Sequence, residues 1–221
     1  MFFGGYVPGA NLLVLAVMSP PTPTPTPTPP IIVAAEHGDV QALAAQLDKG
    51  VDPDTKNGRW TALMIAAWRG DREAVRLLLD RHASVDLEDD SHYMTPLMYA
   101  AVRGHSDVGR QILESCADVN HANQLGQTAL LIAIRPEFMV PLLLDDSTLA
   151  DSLGRTLWRS TPIEDAAHSR TSAAVVRMLL EHEANVHALD RQGHDALFYA
   201  SGDCQSEVVK QLKSAGAAGR C

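Results

Sequence analysis

Thr61-Ala-Leu-Met-Ile-Ala-Ala67 returns four times in the 221-residue chain, and this repetition governs how the whole sequence is interpreted. The five copies begin 34, 33, 33 and 34 residues apart. The later copies are Thr95-Pro-Leu-Met-Tyr-Ala-Ala101, Thr128-Ala-Leu-Leu-Ile-Ala133, Thr161-Pro-Ile-Glu-Asp-Ala-Ala167 and Asp195-Ala-Leu-Phe-Tyr-Ala200. Upstream, residues 31–39 match residues 63–71 at an offset of 32. A nearly constant period of this length predicts a solenoid of stacked units.

Each unit carries the signals of two short helices. Thr61 precedes an apolar run as a helix N-cap, and the Ala pair that follows leaves room for the next unit to come close. A turn such as Arg69-Gly-Asp71 leads into a second helix with apolar residues at helical spacing, for example Val75 and Leu78. No unit can bury its apolar face alone, so the stacking of units is predicted to form the core.

This pattern resembles the ankyrin repeat family over residues 31–218, in about six units of which the first and last would cap the stack. The resemblance implies an all-α solenoid of helix-turn-helix repeats with projecting β-hairpin fingers. It also implies a non-catalytic scaffold for protein–protein interaction. Residues 219–221 would form a short tail.

The sequence departs from the family in the slot of the usual His of the Thr-Pro-Leu-His phrase. That slot holds Met64, Met98, Leu131, Glu164 and Phe198. The polar tie that the His normally makes near the finger is expected to be replaced by apolar packing or lost.

A second departure concerns the left-handed glycine that ends the second helix. Gly50 and Gly216 keep it, whereas the other clear equivalents are His82, Cys116 and Glu183. A side chain in that conformation is predicted to cost about 1 kcal/mol, which makes the middle units softer.

The fourth unit, residues 128–151, is the most irregular. After Ile134 the chain reads Arg-Pro-Glu-Phe-Met-Val-Pro141, and neither proline can donate a backbone hydrogen bond to a helix. Leu157-Trp-Arg-Ser160 then intervenes before Thr161. We expect a joint followed by an extended loop here; the alternative is a degenerate repeat without a separate role.

Residues 1–30 differ in composition from the rest of the chain. They hold eight of the 13 prolines and none of the 45 charged residues. Pro20–Pro30 reads PPTPTPTPTPP, which predicts a stiff, solvated polyproline-II spacer. The apolar run Asn11–Met18 is too short for a membrane span, which needs about 20 residues. We expect a disordered tail or linker, with a secretory signal over residues 1–18 as the alternative. Candidate modification sites are Thr22, Thr24, Thr26 and Thr28.

Composition and residue spacing argue against several functional classes. A formal net charge of −9 disfavours a general nucleic-acid binder. The three cysteines are odd in number and form no CxxC pair, so a disulfide scaffold or zinc site is not expected. The nearest approaches to a metal or acid/base cluster, each without a third partner, are His105 with Asp107 and His182 with His187. We therefore expect no enzyme, no cofactor and no metal.

The resemblance places partner contacts at the finger tips and on the concave face of the first helices. These positions hold Arg59, Trp60, Trp68, Arg69, His92, Tyr93, Arg103, Arg155, Trp158, Arg159 and Arg191, with Val102 and His168 beside them. Trp and Arg are enriched at binding hot spots, and Arg pairs bidentately with carboxylate or phosphate groups. The set therefore predicts an Arg/aromatic strip that binds an acidic or phosphorylated segment. The alternative is that Trp60 and Trp158 pack against their own fingers.

The expected function is a cytoplasmic, monomeric scaffold without a membrane span that binds a protein partner. Two alternatives remain open. One is an exported, secreted or periplasmic effector or stress protein, and the other is a regulatory subunit that inhibits an enzyme. A purely structural spacer is a weaker third.

Overall fold

A computed structural model describes residues 28–134, 165–200 and 206–218, with the backbone alone for residues 165–172. In these ranges the chain forms ten helices: α1 (Pro30–His37), α2 (Val40–Asp48), α3 (Ala62–Arg69), α4 (Arg72–Asp80), α5 (Pro96–Arg103), α6 (Ser106–Glu114), α7 (Ala129–Ile134), α8 (Asp165–Glu181), α9 (Ala196–Ala200) and α10 (Glu207–Ser214).

The helix ends follow from the repeated phrase. The Thr61 hydroxyl accepts the Met64 N–H at 3.3 Å at the start of α3, and Gly70 ends that helix in the left-handed conformation. Thr95 and Gly104 do the same for α5. Because each helix is only two turns long, these caps satisfy a large share of its unpaired backbone groups.

The helices form two parallel rows. α1, α3, α5, α7 and α9 pack successively against one another, and so do α2, α4, α6, α8 and α10. The core lies between the rows, where Leu63, Leu78, Leu97 and Ile112 are at most 1% exposed. Within the described ranges no strand forms; a single β-bridge joins Lys56 and Thr61. The predicted all-α solenoid is confirmed.

α8 differs from the sequence prediction. The copy of the repeated phrase at Thr161 predicts a further helix pair, but one 17-residue helix spans Asp165–Glu181. This helix packs against α6 and α7, in the place expected for the second helix of the fourth unit. The Asn185 N–H donates to Asn120 Oδ1 at 2.8 Å. The segment that follows α8 is therefore in direct contact with the segment that precedes α7. The described residues thus form five layers, one fewer than the six units predicted.

Packing between α6 and α8 accounts for this placement. Gly109 lets α8 come close, because a Cβ at that position would lie 2.6 Å from Met178 Cε. Arg110 and Glu181 form an ion pair at 3.0 Å across the same two helices. The segment expected to fill this place contains Pro136 and Pro141, which lack helix donors. The joint and loop predicted for that segment lie outside the described residues, as do residues 1–27 and 219–221.

The predicted left-handed positions are confirmed. φ is 63° at His82, 66° at Cys116 and 63° at Glu183, where Gly50 and Gly216 have 79° and 100°. A side chain in this region crowds the following carbonyl oxygen, which destabilises the fold by roughly 1–2 kcal/mol at each site.

The five-layer stacking predicts a specific cross-link. In a chain whose three cysteines are changed to Ser, Asn120→Cys and Asn185→Cys should form a disulfide on mild oxidation, measured by non-reducing electrophoresis. A disulfide needs Cα atoms within about 7 Å, and one intervening layer would separate them by about 20 Å. Asp86→Cys with Asn185→Cys, two layers apart in this stack, is the matched control and should not cross-link. Absence of the Asn120–Asn185 cross-link as well would instead support the six-unit register, in which a whole layer separates these two positions.

Replacing a strained side chain with glycine should stabilise the protein. We expect His82→Gly to raise the free energy of unfolding by about 0.5–1 kcal/mol, the relief of the left-handed strain less the added backbone entropy of the unfolded chain. Urea unfolding followed by circular dichroism measures the change. Asp80→Gly, inside α4, should instead lower stability by a similar amount. A loss of stability in His82→Gly would show that the imidazole makes a compensating contact.

Candidate partner-binding surface

Between the second helix of one layer and the first helix of the next, the chain projects as a finger closed by an Asn or Asp side chain. Asn57 Oδ1 accepts the N–H groups of Arg59 and Trp60, at 3.2 and 2.9 Å. The same carboxamide or carboxylate bonds close three further fingers. We number them finger 1 (residues 57–60), finger 2 (89–94), finger 3 (123–127) and finger 4 (190–194). Our sequence reasoning missed this residue, although an Asn or Asp does recur four to six positions before each helix cap.

The fingers are tied into one row. Lys56 Nζ donates to the Glu88 carbonyl at 2.9 Å, which joins finger 1 to finger 2. The Gln124 N–H donates to the His92 carbonyl at 2.9 Å, and the Arg191 N–H to the Leu125 carbonyl at 3.0 Å. Because hydrogen bonds join each finger to the next, the row is preorganised, which reduces the entropy lost when a partner binds.

In fingers 2 and 4, a tyrosine makes the polar contact to the finger that the absent family His would make. Tyr99 donates its hydroxyl hydrogen bond to Asp89, and Tyr199 does the same to Asp190; both carboxylates are buried. The expectation that apolar packing takes over, or that the tie is lost, is therefore wrong for fingers 2 and 4. Each tyrosine directly follows the slot of the absent His, so the tie has moved by one residue.

The pKa values of Tyr99 and Asp190 are shifted in opposite directions. Burial and then the Asp89 charge raise the pKa of Tyr99 well above its usual value, so it stays a donor. Burial also raises the pKa of Asp190. The hydrogen bonds from Tyr199 and from the His194 and Gln192 N–H groups outweigh that effect and leave it below the usual value.

Trp60 and Trp68 form an internal cluster with Tyr99. The ring centroids of Trp60, Trp68 and Tyr99 lie 5.3–6.4 Å apart, mostly edge to face, and each tryptophan is only 3% exposed. The expected exposure of Trp60, Trp68 and the neighbouring Val102 on a binding strip is therefore wrong. The aromatic rings join layers 2 and 3, since burying them there removes a large apolar area from water.

Three of the expected arginines hold parts of the fold. Arg59 Nη2 donates to His92 Nδ1 at 2.9 Å and lies over the Trp60 ring. Arg69 Nη1 donates to the Glu36 carbonyl at 2.8 Å, at the end of α1. The Arg103 guanidinium stacks 4.9 Å from the Trp68 centroid, and burial lowers its pKa. All three side chains are half-buried, so each guanidinium contacts both protein groups and solvent.

Tyr93 and Arg191 stand exposed at the tips of fingers 2 and 4. The Tyr93 ring is 49% exposed although its backbone is left-handed, with φ 57°. Acidic side chains beside it are paired, Asp90 with Lys56 at 2.5 Å and Glu88 with His121 at 3.0 Å. Arg155, Trp158, Arg159 and the side chain of His168 lie outside the described residues.

The described residues hold neither a metal-binding cluster nor a membrane-spanning helix. In residues 28–134, 165–200 and 206–218, no group of three His, Cys, Asp or Glu side chains could hold a metal ion. None of the helices described there is long and apolar enough to cross a bilayer.

Known proteins share this repeat. A family model described as ankyrin repeats (three copies) matches residues 9–89, 31–123 and 85–151. An ankyrin repeat-containing protein of Treponema pallidum is 33% identical over 129 residues, covering 56% of this chain and 43% of that protein. The ankyrin repeat protein YahD of Escherichia coli is 26% identical over 195 residues, 84% of this chain and 95% of that protein. The ankyrin repeat and KH domain-containing protein mask of Drosophila melanogaster is 46% identical over 67 residues, only 2% of its length. The chain thus spans less than half of the treponemal and fly proteins.

The Tyr199–Asp190 pair predicts how stability responds to acid. Because the folded pKa of Asp190 is below the unfolded value of about 3.9, its contribution is present above that pH and lost as the pH falls through the folded pKa. Tyr199→Phe removes the largest cause of that depression. The drop in unfolding free energy between about pH 5 and pH 3, from urea titration, should therefore be smaller in the variant. An equal drop would show that Asp190 does not control this acid response.

Proposed function

Because this chain belongs to the ankyrin repeat family, we propose that it is a non-catalytic scaffold that binds a protein partner through its finger tips and concave face. The family is generally a protein-interaction module, and a rigid row of hydrogen-bonded fingers supports that role. The observation that carries the proposal is Tyr93, a large aromatic side chain held exposed in a conformation that disfavours it.

Tyr93 combines a left-handed backbone with a side chain that is about half exposed. A left-handed tyrosine destabilises the protein by about 1–2 kcal/mol relative to relaxed backbone, and glycine or asparagine would fit the turn. Such strain is concentrated at functional sites. The residues on its N-terminal side are fixed, since Asp89 Oδ1 accepts the Ser91 and His92 N–H groups at 2.8 and 2.6 Å. The ring is therefore presented at a rigid tip, as expected of an interface anchor.

The partner segment that best fits the row carries acidic or phosphorylated groups. Arg191 is exposed on finger 4, two layers from Tyr93. Arg59 of finger 1 is half-buried and contacts His92, the residue before Tyr93. An extended segment of about six residues covers the roughly 20 Å between fingers 2 and 4, so one segment can contact both Tyr93 and Arg191. Arg guanidinium groups bind carboxylate or phosphate in a bidentate manner. Arg69 and Arg103 contribute less to the partner, since they hold a helix end and a tryptophan ring.

The proposal includes a cytoplasmic location. The alternative, an exported effector or stress protein, requires processing of the N-terminal segment. Sequencing the N-terminus of the protein purified from its host separates the two, since export would leave a chain that begins near Met18–Pro20. A regulatory subunit would differ only in that its binding changes the rate of an enzyme partner.

Tyr93→Gly separates a binding role from a structural one. We expect the variant to raise the unfolding free energy by about 0.5–1 kcal/mol, because the strain is relieved, and to weaken partner capture by at least about tenfold. The measurement combines urea unfolding with quantitative pull-down from host lysate. His82→Gly is the matched control, since it relieves the same strain far from the tips and should retain the partner in full.

A second arm tests the chemistry of the partner. Arg191→Ala should reduce capture, and phosphatase treatment of the lysate should reduce it to a similar extent if the segment is phosphorylated. Loss with Arg191→Ala but not with phosphatase indicates acidic side chains instead. Identical proteins recovered by wild type, Tyr93→Gly and Arg191→Ala would contradict the finger-tip surface.

A further inference from the structure

One buried carboxylate holds the finger tip that carries Tyr93. Asp89 Oδ1 accepts the N–H groups of Ser91 and His92, at 2.8 and 2.6 Å. The Asp89 N–H donates to the Met94 carbonyl at 3.0 Å, which closes the finger on the other side of Tyr93. Asp89 is 1% exposed and Met94 is fully buried, so the residues at both ends of the tip lie in the protein interior.

The second oxygen of this carboxylate is bound by Tyr99. Asp89 Oδ2 accepts the hydrogen of the Tyr99 hydroxyl. The Tyr99 ring is fully buried, and its centroid lies 5.3 Å from that of Trp60 and 6.1 Å from that of Trp68, so neighbouring rings hold it in place. A hydroxyl at a fixed position orients the carboxylate, because a buried Oδ2 without a donor would be unfavourable. The orientation of the carboxylate in turn places the N–H groups of the turn.

Finger 2 needs this support more than the other three fingers. Those fingers have a glycine in the left-handed position, with φ 93° at Gly58, 75° at Gly126 and 82° at Gly193. Glycine adopts this conformation without a steric cost, whereas finger 2 has Tyr93 there, with φ 57°. The turn of finger 2 therefore stays in place only while its hydrogen bonds oppose the strain.

We infer that Tyr99 is a positioning residue for the partner-binding tip: through Asp89 it holds finger 2 in the strained turn that presents Tyr93. The inference rests on the proposed function, in which Tyr93 is the interface anchor. Tyr99 is fully buried and cannot itself contact a partner. Once its hydroxyl is removed, the turn is expected to relax toward backbone conformations that a tyrosine favours, and Tyr93 then leaves its place.

Amide hydrogen exchange of the full chain tests the structural part. Tyr99→Phe removes the hydroxyl and keeps the ring, and circular dichroism checks that the fold is retained. The Ser91 and His92 N–H groups should exchange at least about tenfold faster than in wild type, because Asp89 no longer holds them. Ile112→Val, a fully buried change in the same layer, controls for a general loss of stability and should not affect these two amides selectively. Unchanged exchange in Tyr99→Phe would overturn the inference.

A stability cycle with Tyr93→Gly tests the link between the two tyrosines. If Tyr99 opposes the strain at Tyr93, the loss of its hydroxyl is partly offset in wild type by relaxation of the turn. Tyr99→Phe should therefore lower the stability of the Tyr93→Gly chain more than that of wild type, as measured by urea unfolding. Tyr199→Phe removes the same kind of bond from finger 4, where Gly193 is unstrained, and should cost the same in both backgrounds. Equal losses for Tyr99→Phe would contradict the inference.

Quantitative pull-down from host lysate tests the functional part. Tyr99→Phe should weaken partner capture by at least about threefold although every exposed residue is kept, and Ile112→Val should capture like wild type. Full capture by Tyr99→Phe with loss in Tyr93→Gly would overturn the inference and leave the proposed function in place. Full capture by Tyr93→Gly as well would overturn the proposed function and with it the role of Tyr99 in binding, whereas hydrogen exchange would still show whether Tyr99 holds the turn.

Discussion

No helix pair in this chain can bury its apolar side by itself. Each internal first helix has apolar residues on more than one of its sides, so that Met98 and Tyr99, adjacent in sequence, are both buried. The core is consequently a series of junctions between layers rather than a centre surrounded by a shell. The other features of the structure depend on this constraint. They include the short helices, the small Ala pairs, and the Thr and Gly caps that recur at equivalent positions of α3 and α5.

Hydrogen bonds from polar groups fix the fingers, which the apolar packing between layers does not hold. An Asp or Asn at each finger base, buried in fingers 2, 3 and 4, accepts backbone N–H groups that would otherwise be unpaired. In fingers 2 and 4 a tyrosine donates to the same carboxylate. The cluster of Trp60, Trp68 and Tyr99 extends this arrangement across a junction. A finger is therefore held both by its own turn and by the layer beside it, which is why its tip can keep a strained residue such as Tyr93.

Sequence features within single units predict most of this fold, but they predict little of the partner-binding surface. Period, caps and the left-handed positions at His82, Cys116 and Glu183 are properties of single units, and a sequence displays them directly. The position of α8 beside α6 depends instead on contacts between distant parts of the chain, such as the close approach of Met178 to Gly109. The tryptophans show the same limit. Trp60 and Trp68 have the composition of a binding strip, yet the adjacent Tyr99 and the arginines above them make internal packing more favourable.

The position of α8 also has a kinetic meaning. Ion pairs between successive layers in the first part of the stack join residues 33 to 35 positions apart, as with Asp48 and Arg81 or Arg72 and Asp107, whereas Arg110 and Glu181 are 71 apart. Doubling the closed loop adds only about 0.6 kcal/mol of chain entropy, but non-local pairing slows folding far more than that figure suggests. We therefore expect the first three layers to fold first, as a nucleus of local contacts. The last two layers join this nucleus later, because their contacts require a longer loop to close. In the folded protein the last layers are therefore joined to the first three by an ion pair whose sequence separation is about twice that of the pairs within the first part of the stack.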